Sequence, residues 1–235
     1  MATSHANELA AYLKPTCYVD SEHPDIVAYA QRVTAGLTTD VDKAVALYYA
    51  VRDDVRYDPY AFTLGGDTFV ASHVLKTGRA FCVPKAILLA AVGRAVGIPT
   101  RMGFADVRNH LTSERLSQLM GTDVFAFHGN TGFYLEGQWV KCTPAFNLSL
   151  CEKAGVIPLD FNGRDDSLFH PYDRSGKQHM EYLKYHGDFA DFPLDRLINS
   201  YKDTYPNMFK RLDARALGLT KPLGNFEDEV TPQAH

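Results

Sequence analysis

The stretch that decides the fold runs from Gly78 to Val92 and reads GRAFCVPKAILLAAV. Proline is tolerated only in the first turn of a helix, so Pro84 predicts that a helix begins near Val83. The residues after the proline are apolar on nearly every side, which predicts a buried central helix that ends at Gly97. Cys82 therefore lies at the N-terminus of this helix.

The position of Cys82 is one at which a thiol becomes reactive. The first N–H groups of a helix lack backbone partners, and together with the positive end of the helix dipole they favour an anion. We therefore expect a lowered thiol pKa and a nucleophilic sulfur at Cys82. The ordinary alternative is a cysteine that only fills space, since free cysteine is among the most buried residue types.

The composition of the 235-residue chain is that of a single globular domain. Hydrophobic residues make up 46% of it, which is enough for a substantial core. A formal net charge of -4 without a basic cluster argues against nucleic acid as a partner. The N-terminus lacks the pattern of a secretory signal, and no apolar stretch has the length of a bilayer span, so we expect a soluble cytoplasmic protein without a membrane partner. The four cysteines form no C-x-x-C pair, and we expect them to be reduced.

The pattern along the chain divides this single domain into three parts. Residues from about 40 to 150 form the core, 151 to 223 a segment that covers a cleft, and 224 to 235 a flexible tail. Two helices, Pro24 to Leu37 and Asp40 to Val55, precede the buried helix, and Ile98 to Ala105 resumes as a strand. Within the covering segment, the residues from Met180 to Tyr185 are predicted to form a short helix.

From Asp123 onward the period of the apolar residues changes from helical to two. Strand-like segments are Val124 to His128, Phe133 to Leu135 and Gln138 to Cys142, and Glu136-Gly137 is a two-residue turn. This pattern predicts a meander of antiparallel strands. With the helices that precede it, the fold class is α+β.

The register of the predicted hairpin points to a base for the thiol. A nucleophilic thiol needs a base, and His128, at the end of an apolar strand, titrates in the useful range. The two-residue turn sets Asn130 opposite Thr143, which makes Thr143 a diagonal neighbour of His128 on the same face of the sheet. Thr143 would then accept a hydrogen bond from the imidazole. Asn147 has the same parity but follows a proline that interrupts the ladder, and it is the second candidate for this role.

Three segments follow one another in a distinctive order. They are the helix that begins at Cys82, the run RAVGIPTR from Arg94 to Arg101, and His128 followed by YLEGQWV from Tyr134 to Val140. Together they resemble the core of the transglutaminase-like superfamily of papain-fold cysteine enzymes, over roughly Tyr48 to Asn147. The resemblance implies N-terminal helices and a buried nucleophile helix packed on an antiparallel sheet.

The chain departs from the pattern of that family at two places. Thr143 stands where the family has an aspartate, four positions after the tryptophan, and an uncharged acceptor stabilises an imidazolium less. Gly129-Asn130 follow the histidine where the family has a small residue and a tryptophan. Both departures are compatible with a specialised cysteine hydrolase and with a domain that has lost turnover.

The resemblance implies acyl transfer or hydrolysis at an amide-type bond of a peptide or small-molecule substrate, with no cofactor. Cys82 would attack the carbonyl carbon, His128 would move the proton and Thr143 would orient the imidazole. Water or an amine would then resolve the acyl-enzyme. The alternatives are hydrolysis of a small non-peptide carbonyl compound, which a covering segment would enclose, and a non-catalytic binding domain that retains the fold.

Three further side chains are candidates for substrate binding. Arg101, on the strand that leaves the buried helix, could pair with a carboxylate, although a structural ion pair is the commoner role for such a residue. Tyr57 belongs to a loop that could supply a second donor to the oxyanion, and Tyr182 could line a pocket. The histidines between residues 170 and 186 match no zinc signature in their spacing, so we expect no metal.

Overall fold

The computed structural model describes residues 8–63, 66–109, 113–169, 180–216 and 224–230. Its helices are α1 (Pro24–Val33), α2 (Asp40–Asp54), α3 (Ala71–Thr77), α4 (Cys82–Ala95), α5 (Glu114–Met120), α6 (Leu148–Ala154), α7 (Leu194–Thr204), α8 (Pro206–Ala216) and α9 (Phe226–Glu229). Its strands are β1 (Arg56–Tyr57), β2 (Arg79–Ala80), β3 (Thr100–Asn109), β4 (Val124–Leu135), β5 (Gln138–Cys142) and β6 (Met180–Phe189).

Helix α4 is buried along nearly its whole length, as its sequence predicts. It begins at Cys82, and every residue from there to Arg94 is buried. Pro84 lies in its first turn, where the missing N–H has no intrahelical partner to lose. Gly97 has a φ of +84°, a conformation that glycine adopts at low cost, and this lets the chain turn from the helix towards β3.

Four antiparallel strands form the main sheet, in the order β5-β4-β3-β6. The β4–β5 hairpin has the predicted register, with Leu135 opposite Gln138. Both turn residues, Glu136 and Gly137, have positive φ angles of +48° and +87°, as this type of two-residue turn requires. Strand β4 runs without a break from Val124, so it joins two strand segments that the sequence predicted separately.

Helix α4 packs on β4 where the strand side chains are small. A Cβ on Gly129 would lie 3.0 Å from Val83 Cα, closer than carbon atoms normally approach. One turn further along the helix, Thr131 donates a hydrogen bond from its hydroxyl to the Ala86 carbonyl at 2.8 Å. The N-terminal end of α4 is therefore held directly against the part of β4 that carries His128.

A buried lysine joins α4 to the C-terminus of α2. Lys85 is fully buried, and its Nζ donates hydrogen bonds to the Arg52 carbonyl, at 2.8 Å, and to the Val55 carbonyl. Carbonyl groups at a helix C-terminus lack intrahelical partners, so the lysine satisfies groups that burial would otherwise leave unpaired. Burial lowers the pKa of Lys85 to about 7.

A short parallel pair of strands sets Tyr57 beside the start of α4. Tyr57, on β1, lies opposite Ala80 on β2, two residues before Cys82. The Tyr57 N–H donates a hydrogen bond to Asn147 Oδ1 at 2.9 Å, so the chain after β5 also fixes this position. Tyr57 is buried, as its place between these elements requires.

The segment from 151 to 223 contributes to the sheet as well as to its cover. Met180–Phe189 is strand β6, so the helix predicted for Met180 to Tyr185 is wrong. The register of β6 against β3 shifts twice near Ala105 and Asp106, and such bulges break the simple alternation of side chains. Residues 170–179 and 217–223 of this segment lie outside the described residues.

Part of the expected flexible tail is a packed helix. Helix α9 buries Phe226, whose ring lies 5.7 Å from that of Tyr57 and 5.9 Å from that of Tyr60, measured between ring centres. Burial of a phenylalanine stabilises the chain around it, which accounts for the order of this segment. Residues 231–235 of the tail lie outside the described residues.

Helix α7 packs on β4 and buries Leu197 and Tyr201. Its apolar stripe therefore faces the sheet on which α4 also packs. Among the described residues, we find no helix with the length and apolar character needed to cross a membrane.

Candidate active site

The sulfur of Cys82 is buried at the start of α4 and faces three backbone N–H groups. These belong to Gly129, Val83 and Cys82 itself, and each favours the thiolate. Burial has the larger effect, since the residue is only 5% exposed, and it raises the pKa of Cys82 to about 11. The lowered pKa expected from the helix start is therefore wrong. The helix start is where the sequence predicts it, but desolvation outweighs its electrostatic effect.

His128 lies on β4, one residue before the Gly129 N–H that faces the sulfur. Its imidazole is buried, and Nδ1 has no hydrogen-bond partner among the described residues. The ring contacts Phe169 edge to face, with 5.2 Å between ring centres. Burial lowers the pKa of His128 to about 4, so the ring is neutral at pH 7 and able to accept a proton.

Thr143 and Asn147, the two candidates for orienting the imidazole, have different surroundings. Thr143 lines the same cavity as His128, and its Oγ1 is buried without a partner among the described residues. Asn147 already uses both ends of its amide: Oδ1 accepts from the Tyr57 N–H, and Nδ2 donates to Ser149 Oγ at 2.7 Å. The hydroxyl of Thr143 is therefore available to an imidazole, whereas the Asn147 amide is engaged.

Two cavities are lined by the predicted site residues. One is lined by Cys82 and Tyr57, among others. The other is lined by His128 and Thr143, among others. Between the described side chains of Cys82 and His128 there is no hydrogen bond. The Gly129 N–H faces the sulfur from the residue next to His128. A Cβ on Gly129 would point at α4, so by the alternation of side chains along a strand the His128 imidazole lies on the opposite face of β4.

Arg101, a candidate for substrate binding, has structural partners. Its guanidinium pairs with Asp188 at 2.9 Å and lies 4.3 Å from the ring centre of Trp139. It lines neither of the two cavities described above. The ion pair, the commoner role of such a residue, accounts for its placement.

Tyr182, a second candidate for substrate binding, lies near the His128 cavity. It is 46% exposed, and its ring packs on Phe169 with 4.6 Å between ring centres. Phe169 in turn contacts the His128 imidazole. The Phe169 ring thus lies between Tyr182 and the imidazole. A ligand could contact the Tyr182 side chain from solvent.

Three residues of the C-terminal part also line the Cys82 cavity and were not predicted from the sequence: Tyr201, Tyr205 and Met208. The available signal was the spacing of the two tyrosines, four residues apart, which places both on one face of a helix. Nothing in the local sequence connects that face with Cys82, because the contact joins distant parts of the chain.

The structure shows no cluster of three or more metal-ligating side chains within its described ranges. His186 pairs with Asp106, at 2.7 Å between Nε2 and Oδ1. The histidines at positions 170 and 179 lie outside the described residues.

Comparison with known proteins identifies the family. The sequence profile of the transglutaminase-like superfamily matches residues 27–144, half of the chain. The chain belongs to the transglutaminase-like superfamily. The matched stretch contains Cys82, His128 and Thr143, and the predicted α+β fold class of this superfamily is confirmed.

Two solved structures are similar to this superfamily member over part of their length. A candidate cysteine protease from Cytophaga hutchinsonii is 16% identical with a TM-score of 0.47, and the match covers 75% of this chain and 63% of that one. A candidate protease from Parabacteroides distasonis is 14% identical with a TM-score of 0.35, and the match covers 57% and 25% respectively. The chain therefore spans less than two thirds of either protein. No curated protein matches it in sequence.

Proposed function

We propose that the protein is a cysteine-dependent hydrolase or acyltransferase that acts on the carbonyl group of a peptide or small-molecule substrate. The observation that carries the proposal is the place of the Cys82 sulfur at the start of α4, where it faces the N–H groups of Gly129, Val83 and Cys82, donors that favour a thiolate. The unpartnered Nδ1 of His128 supports it, since a base must have a free nitrogen. Membership of the superfamily supports it as well, since the matched stretch contains both Cys82 and His128.

Both reacting groups are neutral in the resting site at pH 7, because the pKa of Cys82 is about 11 and that of His128 about 4. The imidazole therefore acts as a general base during the attack, and no ion pair forms beforehand. As the bond between sulfur and the carbonyl carbon forms, the thiol proton passes to His128, which then delivers it to the leaving group. Water or an amine attacks the resulting thioester, the imidazole takes the proton of that nucleophile, and the thiol is restored.

We assign the orientation of the imidazole to Thr143. The two side chains line one cavity and form no hydrogen bond in this structure; in the proposed reaction the Thr143 hydroxyl accepts one from the ring nitrogen that does not serve the sulfur, in place of the aspartate of the family pattern. An uncharged acceptor stabilises an imidazolium less than a carboxylate does. We therefore expect slower acylation than a site with an aspartate would give.

Two alternatives each have an observation in their favour. The burial of Cys82 favours a small non-peptide carbonyl compound over a long peptide. Its raised pKa favours a binding domain that retains the fold without turnover.

All four cysteines are free thiols, which supports a reducing location such as the cytoplasm.

The proposal is tested with p-nitrophenyl butyrate, whose acyl transfer releases a coloured phenolate. We expect a burst of phenolate and a butyryl adduct that peptide mass spectrometry assigns to Cys82. The variant Cys82→Ala should lose both, and Cys17→Ser, which changes an exposed cysteine, should keep both. An adduct spread over several cysteines, or none on Cys82, would favour the binding domain.

A further inference from the structure

Among the described residues, those that line the cavity at Cys82 all have uncharged side chains. Most are apolar or aromatic: Tyr57, Pro59, Phe62, Phe81, Leu116, Met120, Phe125, Ala126, Tyr201, Tyr205 and Met208. A charged group placed among them would lose its hydration without gaining an ionic partner. The surface around the nucleophile therefore suits an uncharged, apolar group.

Part of this lining comes from outside the region that matches the superfamily. That region ends at residue 144, whereas Tyr201 lies on α7, and Tyr205 and Met208 follow it in the chain. The C-terminal part thus supplies a wall of the nucleophile cavity that the shared core does not specify. A substrate preference particular to this chain would therefore depend on these side chains.

The tyrosines of the cavity differ in how their hydroxyls are used. The Tyr205 hydroxyl donates to the Val124 carbonyl at 3.0 Å and accepts from the Ala126 N–H, so it holds the start of β4 in place. The hydroxyls of Tyr57 and Tyr201 form no hydrogen bond with any described residue. Neither hydroxyl is among the fully buried polar atoms that lack a partner, so both reach the open space of the cavity, where a ligand can accept a hydrogen bond from them.

Both tyrosines lie near the Cys82 sulfur, and Tyr201 is the one that the C-terminal part supplies. Its ring is held between Phe62, at 5.6 Å, and Tyr205, at 5.2 Å, measured between ring centres. Burial raises the pKa of Tyr201 well above its usual value, and the neighbouring Cys82 sulfur acts in the same direction, so the hydroxyl stays protonated. Tyr57 is engaged through its backbone N–H with Asn147 and has its ring against Phe226, where it serves to shape the cavity.

We propose that Tyr201 is a catalytic residue that donates a hydrogen bond to the carbonyl oxygen under attack, and that the acyl group it orients is apolar and uncharged. This inference rests on the proposed function and deepens it by naming a substrate class. The hydrogen bond from Tyr201 becomes stronger as negative charge develops on the carbonyl oxygen. An interaction that is stronger in the transition state than in the bound substrate lowers the barrier to acylation.

The step balances with the groups already present. The Cys82 sulfur forms a bond to the carbonyl carbon, its proton passes to His128, and the π electrons of the carbonyl move to the oxygen that accepts from the Tyr201 hydroxyl. When the carbonyl re-forms, the bond to the leaving group breaks, and the leaving group takes the proton from His128. Tyr201 keeps its own proton throughout.

The test compares acylation with alkylation of the same sulfur in the full chain. Acylation by p-nitrophenyl butyrate passes through an oxyanion, whereas alkylation by iodoacetamide does not. We expect Tyr201→Phe to slow acylation of Cys82 by about 100-fold, the effect of losing one such donor, and to leave alkylation at the wild-type rate. Tyr185→Phe, a control at a surface tyrosine, should change neither rate.

The nature of the acyl group is tested with a matched ester. The p-nitrophenyl ester of 4-sulfobutyric acid has the acyl chain of the butyrate ester and carries at its end a sulfonate, which does not attack the ester as a carboxylate would. We expect it to acylate Cys82 at least about 10-fold more slowly, because the described lining of the cavity offers the sulfonate no cationic partner.

Failure of this inference differs from failure of the proposed function. If wild-type protein forms no adduct on Cys82, the function fails and the inference falls with it. If the wild type reacts and Tyr201→Phe reacts equally fast, or slows alkylation to the same extent as acylation, Tyr201 is not the donor. A larger loss for Tyr57→Phe than for Tyr201→Phe would assign the role to Tyr57, and equal rates for the two esters would overturn the substrate class.

Discussion

Replacement of Gly129 by alanine tests the contact on which the proposed site depends. A Cβ at this position would lie 3.0 Å from Val83 Cα, 3.3 Å from Ala86 Cβ and 3.4 Å from the Cys82 carbonyl oxygen. None of these atoms belongs to a flexible side-chain end that could rotate away. Carbon atoms in contact are normally about 3.5–4.0 Å apart, so α4 and β4 must separate by about 0.5–1 Å.

That separation should affect stability and reactivity together. Overpacking of this kind costs about 1–3 kcal/mol of unfolding free energy. Since the sulfur would move away from the Gly129 N–H, we also expect acylation of Cys82 to fall by up to about 100-fold, the scale of a displacement near 1 Å. Urea unfolding measures the first quantity and the phenolate burst measures the second.

Two other glycines serve as controls for this prediction. At Gly66 a Cβ would meet no atom within 4 Å, so Gly66→Ala should alter neither stability nor the burst. At Gly93, far along α4 from the sulfur, a Cβ would lie 2.6 Å from Thr100 Cγ2 and 2.8 Å from Phe133 Cε1. Gly93→Ala should therefore reduce stability and leave the burst rate of the folded protein unchanged. Wild-type stability and burst rate in Gly129→Ala would refute the packing described here.

Three further predictions concern buried polar groups. Lys85 has a pKa of about 7 when folded and 10.5 as its ordinary value, so between these pH values the unfolded chain holds a proton that the folded chain has lost. The unfolding free energy of the wild type, relative to that of Lys85→Met, should therefore rise by about 1.4 kcal/mol per pH unit above pH 7. Urea titrations at several pH values measure this difference. A difference that does not change with pH would contradict the burial of Lys85. Thr143→Asp should raise the pKa of His128 by about 1–3 units in an NMR titration, whereas an unchanged pKa would mean that the two residues are not neighbours. Asn147→Ala should cost about 1–3 kcal/mol in urea unfolding, since it leaves the buried Tyr57 N–H unpaired, and no loss would show that this hydrogen bond does not matter.

Much of the core was predictable because its signals are local. Pro84 and Gly97 mark the ends of the buried helix through backbone constraints that each residue carries alone. Glu136-Gly137 sets a two-residue turn, and that turn fixes the register of the β4–β5 hairpin. The shared cavity of His128 and Thr143 agrees with this register.

What the sequence could not predict depends on distant parts of the chain. Strand β6 was read as a helix because its own bulges, at Leu183 and His186, remove the alternation that identifies a strand. The pKa of Cys82 was expected to fall because a helix start is a local feature, but burial is set by all the elements that pack around the sulfur. Tyr201 joins the cavity only through the packing of α7 on the sheet.

The central claim is that Cys82 and His128 act together as nucleophile and base across the contact at Gly129. The most direct test is the rate at which butyryl-Cys82 accumulates in His128→Ala, followed by mass spectrometry at pH 7. The account predicts a rate lower than that of the wild type by at least about 100-fold, the usual contribution of a positioned base. Accumulation at the wild-type rate would contradict it, since the thiol would then lose its proton without the imidazole.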